Sequence, residues 1–292
     1  HLLIEGVPGL AKTLTIKSTA SVLGGTFKRI QFTPDLVPSD LVGTRVFRPD
    51  KSDFEIDLGP VFCNFLLADE INRSPAKVQS ALLEVMQERQ VTIGHDTHPV
   101  PSPFLVMATQ NPIESEGTYP LPEAQIDRFM LKILIGYPTH DEELTIVQRQ
   151  LEAAPALRET LTLEDLRALQ SAVFDVYVDP ALISYAVELA TATRTPARYG
   201  LVELSDYIAF GASPRGPIAV VQAARALALI RGRDYVVADD VQALARDAFR
   251  HRLVLTYQAL AEEMDAEKIL DAVLNAVAVP QVDLRRASTP AA

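Results

Sequence analysis

The feature that most restricts how this chain can fold is a glycine-containing turn between a short apolar strand and a helical segment. An apolar run at residues 2–4 leads into this turn, whose residues are Gly6, Val7, Pro8, Gly9, Leu10, Ala11, Lys12 and Thr13. In such a turn, successive backbone N–H groups point at one anion beside the positive end of a helix. The turn therefore predicts a phosphate-binding loop in an α/β fold, since that loop needs a strand before it and a helix after it.

Several positions of this loop have a defined physical role. Gly6 and Gly9 permit the unusual torsions that let the backbone wrap a β-phosphate. Lys12 can reach the β- and γ-phosphates, and the Thr13 hydroxyl can ligate Mg²⁺. Ala11 stands where glycine is usual, and we expect right-handed helical torsions there, which alanine tolerates. The alternative is a strand-turn-helix that resembles the loop by chance.

The first half of the chain alternates short apolar runs with helical patterns. Runs this short and evenly apolar are typical of strands covered on both faces, which favours a parallel sheet between helices. The five runs are 2–4, 28–32, 65–68, 104–108 and 130–135. Segments 38–58 and 91–103 interrupt this pattern and are interpreted as hairpin-like insertions. The clearest helix is 74–88, with Ser74 as its N-cap.

The character of the chain changes near Pro138, after which strand-like runs almost vanish. We therefore expect two domains, a core at 1–138 and a helical domain at 139–292. Helix starts in the second half are indicated by Thr162 with Asp165, by Asp179-Pro180 and by Ser213-Pro214.

Polar residues stand where two of the predicted strands end. Asp69 and Glu70 follow the third run, and Asn111 follows the fourth. Ligands of open α/β sheets bind at the carboxyl ends of strands, where Asp69 can hold Mg²⁺ through water and Glu70 can act as general base. Asn111 can orient the attacking water. The alternatives are a solvated acidic turn and an asparagine that caps a turn before Pro112.

Composition narrows the class of protein. The 38 acidic and 27 basic side chains give a net charge of −11, so no nucleic-acid partner is expected. The single cysteine, Cys63, excludes an internal disulfide and favours a cytoplasmic protein. No apolar run approaches the roughly 20 residues of a membrane span, so no membrane segment is expected. Because the chain begins at His1 within an apolar strand, we expect the natural protein to carry a further N-terminal piece.

Three longer stretches combine these features: GVPGLAKT at 6–13, LLADEINRSPAKVQSALLEVMQERQVTI at 66–93, and MATQNPIESEGTYPLPEAQIDRF at 107–129. Together they resemble the MoxR family of AAA+ ATPases, in the helix-2-insert clade, where alanine is common at the position of Ala11. The resemblance covers most of residues 1–138. It implies a P-loop αβα core with a five-stranded parallel sheet of order 5-1-4-3-2, followed by an all-α lid.

The resemblance repeats the roles given above for the loop and the two carboxylates, and it adds three. It makes Asn111 the first sensor and Arg128 an arginine finger that reaches a neighbouring subunit's nucleotide. It makes Arg215, within GASPRG at 211–216, the second sensor. A surface ion pair for Arg128 and a solvent-facing Arg215 are the alternatives.

The resemblance implies an ATPase that binds ATP with Mg²⁺ and assembles into a homo-oligomeric ring, expected to be a hexamer. It implies chaperone-like remodelling of a client protein, beside a partner with a von Willebrand factor A domain. A nucleotide-gated scaffold with little turnover and a nucleic-acid motor are the competing hypotheses.

Four further residues carry no assigned role. His95 and His98 are interpreted as a solvated loop, because no cysteine or third histidine lies near them in sequence. Cys63 is interpreted as a buried or inert thiol, and Arg73 is left between an active-site and a surface role.

Overall fold

The computed structural model describes residues 1–6, 10–50, 52–111, 119–152 and 156–281. In its first half, strands alternate with helices, as the apolar runs predict. The strands are β1 (Leu2–Gly6), β2 (Phe27–Gln31), β3 (Gly43–Arg48), β4 (Asp53–Leu58), β5 (Phe65–Asp69), β6 (Gln90–Ile93), β7 (Asp96–Pro99), β8 (Leu105–Gln110) and β9 (Leu131–Ile135). The helices are α1 (Lys12–Val22), α2 (Pro38–Val42), α3 (Ala76–Glu88), α4 (Glu123–Ile126), α5 (His140–Gln150) and α6 (Leu163–Asp175).

The central sheet has five strands in the order β2-β5-β8-β1-β9. Numbered one to five along the chain, these strands read 2-3-4-1-5, which is the predicted order 5-1-4-3-2 from the opposite edge. The pairings of β2 with β5, β5 with β8 and β1 with β8 are parallel. The prediction of a parallel five-stranded sheet is therefore confirmed, and all five predicted runs form its strands.

Burial on both faces explains why these strands are apolar throughout. Four consecutive residues of β5 and four of β8 are buried. On one face, Ile16 and Ala20 of α1 pack with Phe65, Leu67 and Met107 of the two strands. Removing this apolar surface from water stabilises the sheet by roughly 25 cal/mol per Å² buried, and it fixes where the polar strand ends lie.

The two predicted insertions are hairpins. β3 pairs with β4, and β6 pairs with β7, each in antiparallel register. Gly94 makes the second turn with φ of 67°, a left-handed torsion that glycine adopts without steric cost. α2 lies just before the first hairpin, a helical turn that the apolar pattern did not indicate.

The predicted cap of α3 is wrong. The helix starts at Ala76, and Pro75 is its N-cap. Ser74 is fully buried, and its hydroxyl donates a 3.3 Å hydrogen bond to the Ile71 carbonyl. The serine is thus used by the short 3₁₀ turn that precedes the helix, and so does not cap the helix itself.

The second half of the chain is mainly helical, as expected. Its helices are α7 (Pro180–Arg194), α8 (Arg215–Ile230), α9 (Ala238–Phe249), α10 (Tyr257–Ala261) and α11 (Ala266–Ala276). The Asp179 carboxylate caps α7 by accepting the Ala181 N–H at 2.8 Å. The core packs Tyr185 and Phe249 among many small alanines. A short antiparallel ladder of β10 (Ile208–Phe210) and β11 (Val254–Leu255) adds to the expected all-helical lid.

Contacts divide the chain into two compact units whose boundaries differ from the expected division at residue 138. The first comprises 1–121 and 133–167, and the second 122–132 and 168–292. Segment 160–161 joins the first unit because its N–H groups donate to the Val22 carbonyl. Segment 122–132 joins the second because side chains at 250–252 bind its backbone carbonyls.

Candidate active site

A cleft of about 280 Å³ lies at the carboxyl ends of the sheet strands in the first unit. Four segments that are distant in sequence supply its walls: the turn after β1, the end of β2, the end of β5 and the end of β8. The lining residues are Leu10, Ala11, Lys12, Thr13, Arg29, Gln31, Asp69, Glu70, Thr109, Gln110 and Asn111. The parallel sheet thus brings the predicted loop and the predicted strand-end residues to one place.

Gly6 is the last residue of β1 and begins the turn into α1. A Cβ atom at this position would lie 2.6 Å from the Ile135 carbonyl oxygen of β9, which is closer than real Cβ contacts. The glycine therefore lets the neighbouring strand approach. The Lys12 Nζ donates a 2.7 Å hydrogen bond to the Gly6 carbonyl, so the lysine side chain reaches back to the end of β1. Val7, Pro8 and Gly9 lie outside the described residues.

Ala11 corrects a sequence-based expectation. Its torsions are φ 52° and ψ 19°, which is the left-handed region and not the right-handed one. A residue with a Cβ pays roughly 1 kcal/mol or more for this conformation, which glycine adopts freely. Ala11 is the N-cap of α1, and its carbonyl accepts the Thr15 N–H at 2.9 Å. This is the first hydrogen bond of the helix, so the left-handed residue stands directly at the helix start.

Asp69 ends β5 with a carboxylate that is bound on both oxygens. The Thr109 hydroxyl of β8 donates to Oδ1 at 2.6 Å. The Arg29 guanidinium of β2 donates to Oδ2 from Nη2 at 2.7 Å and from Nε at 3.2 Å. These two neighbouring strands therefore fix the direction of the carboxylate.

Glu70 follows directly and has left-handed torsions, with φ of 55°. Its N–H donates to the Thr109 hydroxyl oxygen at 2.9 Å. Its Oε2 accepts from Gln31 Nε2 at 2.7 Å and from Arg73 Nε at 3.0 Å. The structure thus gives Arg73, which sequence alone left open, a direct contact with this carboxylate.

Arg29, Gln31 and Thr109 belong to the cleft but were missed by sequence analysis. The signal that could have found them is the sheet register, in which Gln31 of β2 stands beside Asp69 of β5. Thr109 lies near the end of β8, the other neighbour of β5. Asn111, just beyond β8, is buried and lines the same cleft. Pro112 lies outside the described residues.

The oxygen donors of the cleft fit Mg²⁺. This ion prefers carboxylate and hydroxyl oxygens, keeps several waters and needs only one or two protein ligands when it also binds phosphate oxygens. Asp69 and Thr13 supply such oxygens on opposite segments of the cleft. In the part of the chain that the structure describes, no three His, Cys, Asp or Glu side chains cluster to hold a metal.

A second group of charged residues lies within the helical unit. Arg215 begins α8, is 49% exposed and pairs with the Asp127 carboxylate at 3.3 Å. The Ser213 hydroxyl donates to the same carboxylate at 2.9 Å. Arg128 is the next residue after Asp127, and its Nε is buried without a hydrogen-bond partner among the described residues. Arg252, which sequence analysis did not single out, donates to Asp127 Oδ1 at 2.8 Å.

Known protein families match both halves of this chain. The family model described as "ATPase family associated with various cellular activities (AAA)" matches residues 1–131, and an AAA lid domain model matches 204–273. The chaperone MoxR1 of Mycobacterium tuberculosis is 56% identical over 283 residues, which cover 97% of this chain and 75% of that protein. Protein MoxR of Paracoccus denitrificans is 31% identical, over 96% of this chain and 87% of its own length.

This chain belongs to the MoxR family of AAA+ ATPases. Its fold also matches a crystal structure from Cytophaga hutchinsonii, of a protein described as a candidate ATPase. The TM-score is 0.90 at 48% identity, and the match covers 96% of this chain and 86% of that one. The MoxR resemblance stated from the three sequence stretches is therefore confirmed.

The remaining sequence observations on this MoxR protein concern residues outside the cleft. Cys63 is fully buried, its Sγ donates to the Phe65 carbonyl, and burial raises the pKa of the thiol to about 11, which agrees with an inert thiol. His95 is exposed in the turn between β6 and β7. Among the described residues, no helix is both long enough and apolar enough to cross a membrane.

Proposed function

We propose that this MoxR protein binds ATP with Mg²⁺ in the cleft of its first unit and hydrolyses it. The observation that supports the proposal is the meeting of one loop lysine with two carboxylates and an amide at the carboxyl edge of one sheet. Lys12, Asp69, Glu70 and Asn111 all line the same cleft. A cation for the phosphates, oxygen ligands for a metal and a base for water are the groups that phosphoryl transfer requires.

The residues of the loop bind and orient the nucleotide. The Lys12 ammonium exchanges its bond to the Gly6 carbonyl for bonds to phosphate oxygens, a charge-assisted and therefore stronger interaction. Thr13 and Asp69 would hold Mg²⁺, which when bound would neutralise charge that develops on the transferred group. Thr109 fixes the Asp69 carboxylate through its hydrogen bond to Oδ1.

Glu70 acts as general base on the attacking water, and Asn111 orients that water. The contacts from Gln31 and Arg73 hold the Glu70 side chain at the edge of the cleft. Its own left-handed torsions turn the residue away from the direction of β5 and toward the cleft. A positioned carboxylate base contributes roughly 10²–10⁴-fold to the rate.

Arg128 and Arg215 supply positive charge to the transition state. We assign Arg128 to the nucleotide of a neighbouring subunit, which makes hydrolysis depend on assembly into a homo-oligomeric ring, here a hexamer. Arginine fingers raise rates by about a thousandfold or more in related chemistry. Among the described residues, the buried Arg128 Nε has no hydrogen-bond partner, which supports this role because a surface ion pair would occupy the guanidinium.

The biological role follows from the relatives and stays a proposal for this chain. MoxR1 of Mycobacterium tuberculosis is named a chaperone. We assign the same class of activity here, namely remodelling or maturation of a client protein in the cytoplasm, beside a partner with a von Willebrand factor A domain. A nucleic-acid motor is disfavoured by the net charge of −11.

The decisive experiment replaces the proposed base. Glu70→Gln keeps the size and the hydrogen-bonding capacity of the side chain but removes the base, so kcat should fall by about 100-fold or more while ATP affinity changes little. The matched control is Glu84→Gln, an exposed glutamate on α3. Steady-state phosphate release and calorimetric ATP binding measure the two quantities.

Two results would count against the proposal. Equal turnover in the parent protein and Glu70→Gln would show that another residue prepares the water. ATP binding without measurable turnover in the assembled parent protein would favour the nucleotide-gated scaffold.

A further inference from the structure

Arg252 is a buried arginine whose guanidinium donates hydrogen bonds to the backbone segment 127–130. Its side chain is 2% exposed, and it lies in the 3₁₀ turn Arg250–Arg252 after α9. Nε donates to Asp127 Oδ1 at 2.8 Å, and Nη2 donates to the Phe129 carbonyl at 2.7 Å and the Asp127 carbonyl at 3.2 Å. Nη1 donates to the carbonyls of Met130, at 3.3 Å, and Ala248. All three nitrogens are therefore satisfied, which is what a buried guanidinium requires.

Arg128 lies within the segment that Arg252 binds. The carbonyls of Asp127, Phe129 and Met130 bracket Arg128 on both sides, so the backbone of Arg128 cannot shift without breaking these bonds. The neighbouring His251 donates from Nε2 to the same Phe129 carbonyl at 3.0 Å. These side-chain bonds add to the single turn of α4 in holding the segment in place.

Arg252 also reaches Arg215, through the Asp127 carboxylate. That carboxylate accepts from Arg252 on Oδ1, from Ser213 on both oxygens and from Arg215 on Oδ2. Gly216, next to Arg215, lies where a Cβ would be 3.4 Å from Arg252 Cδ and 2.5 Å from Phe249. The first turn of α8 thus packs closely on the Arg252 side chain.

We propose that Arg252 is a positioning residue that sets the places of both Arg128 and Arg215. Arg252 does not line the described cleft, and it acts through Asp127 and the backbone at 127–130. This inference rests on the proposed function, in which Arg128 and Arg215 stabilise transition-state charge. Misplacing a catalytic group by about 1 Å costs roughly 100-fold in rate, so a contact that holds two such groups has a large effect without contacting the substrate.

A mixture of subunits tests the proposal, because it separates the subunit that supplies Arg128 from the subunit that binds ATP. Lys12→Ala subunits lack the loop cation but can supply Arg128, and Arg128→Ala subunits have an intact loop. Neither variant should hydrolyse ATP alone, and their mixture should regain activity at mixed interfaces. This recovery tests the proposed function by itself.

The donor subunit then receives a second change. In Lys12→Ala/Arg252→Lys donors the charge is kept but the planar fork of donors is lost. Recovered kcat should fall by roughly 10- to 100-fold, and KM for ATP should not change, because the intact loop belongs to the other subunit. Lys12→Ala/Arg233→Lys is the matched control, since Arg233 pairs with buried Asp240 in the same helical unit. That donor should restore as much activity as Lys12→Ala.

Hydrogen exchange of the donors provides a readout that does not depend on turnover. Arg252→Lys should raise exchange about tenfold or more at 123–130, where Arg128 and Phe129 donate their N–H groups to Gln125 and Ile126. Exchange in α7 should stay unchanged, whereas a general loss of stability would raise both. If Arg252→Lys does not fold, Asp127→Asn in the donor is the second variant, and it should lower the recovered kcat in the same way.

The outcomes are distinct. If Lys12→Ala and Arg128→Ala subunits form mixed rings but regain no activity, the assignment of Arg128 is wrong, and the role of Arg252 is wrong with it. If that pair recovers and the Arg252→Lys or Asp127→Asn donors recover equally well, Arg252 only stabilises the fold and the proposed function stands. If the recovered activity falls and exchange in α7 rises as well, the effect is general destabilisation and the positioning role is refuted.

Discussion

Acid should destabilise the helical unit through His251. This imidazole is buried and donates from Nε2 to the Phe129 carbonyl at 3.0 Å. Burial, reinforced by the positive charges of Arg252, Lys132 and Arg250, lowers its pKa from 6.5 to about 3. Its Nδ1 is buried and has no hydrogen-bond partner in the described part of the chain, so a proton added there would find no acceptor.

The sign and size of the effect follow from linkage. The histidine of the unfolded chain titrates near its ordinary pKa of 6.5, while the folded one stays neutral until about pH 3. The unfolded state therefore binds the proton first as the pH falls, and stability that is present above pH 6.5 is lost below it. Between pH 8 and pH 5 this one group should remove about 2 kcal/mol from the free energy of unfolding.

Urea denaturation followed by circular dichroism at pH 8 and pH 5 measures this loss. The comparison is with His251→Asn, which has a polar side chain at this position that does not titrate. The parent protein should lose about 2 kcal/mol more than the variant over this interval, because groups common to both cancel. His95→Asn, in an exposed turn, controls for the substitution itself. Parallel pH dependences of the parent protein and His251→Asn would refute the reasoning.

Three further predictions concern single substitutions. Asp240 is fully buried, and its pKa is lowered because hydrogen bonds from Arg233, Arg231 and the Val237 N–H outweigh the desolvation of the carboxylate. Asp240→Asn should therefore lower the free energy of unfolding, measured by urea denaturation at pH 7, by roughly 2–4 kcal/mol. Gly6→Ala should weaken ATP binding about tenfold or more by calorimetry, because the added Cβ meets the Ile135 carbonyl 2.6 Å away. Lys12→Ala should weaken ATP binding by about 100-fold or more, because it removes the cation from the loop.

Each of these substitutions has a result that would contradict it. Asp271→Asn, in an ion pair that is half exposed, should cost far less than Asp240→Asn, and equal losses would show that burial of the pair is not what matters. Lys17→Ala, exposed on the same helix as Lys12, should leave ATP affinity unchanged. Unaltered affinity in Gly6→Ala or Lys12→Ala would exclude the loop as the phosphate site.

The local motifs were predictable from sequence because their chemistry depends on neighbours along the chain. The turn at Gly6 to Thr13 is read from adjacent residues, and so is the run into Asp69 and Glu70. Five apolar runs were enough to place the sheet strands, since a strand buried on both faces leaves a continuous apolar signal. The strand order came from the resemblance of three long stretches to the MoxR family, and the structure confirmed it.

Tertiary structure decided what depends on neighbours across the sheet or across the chain. Arg29 and Thr109 contact Asp69 only because β2 and β8 flank β5, a fact that no local pattern contains. Ala11 has left-handed torsions, against the preference of a residue that carries a Cβ atom. Arg252 and Asp127 lie 125 residues apart in the chain. Only the folded chain brings them together, since a hydrogen bond depends on distances in space that sequence separation does not record.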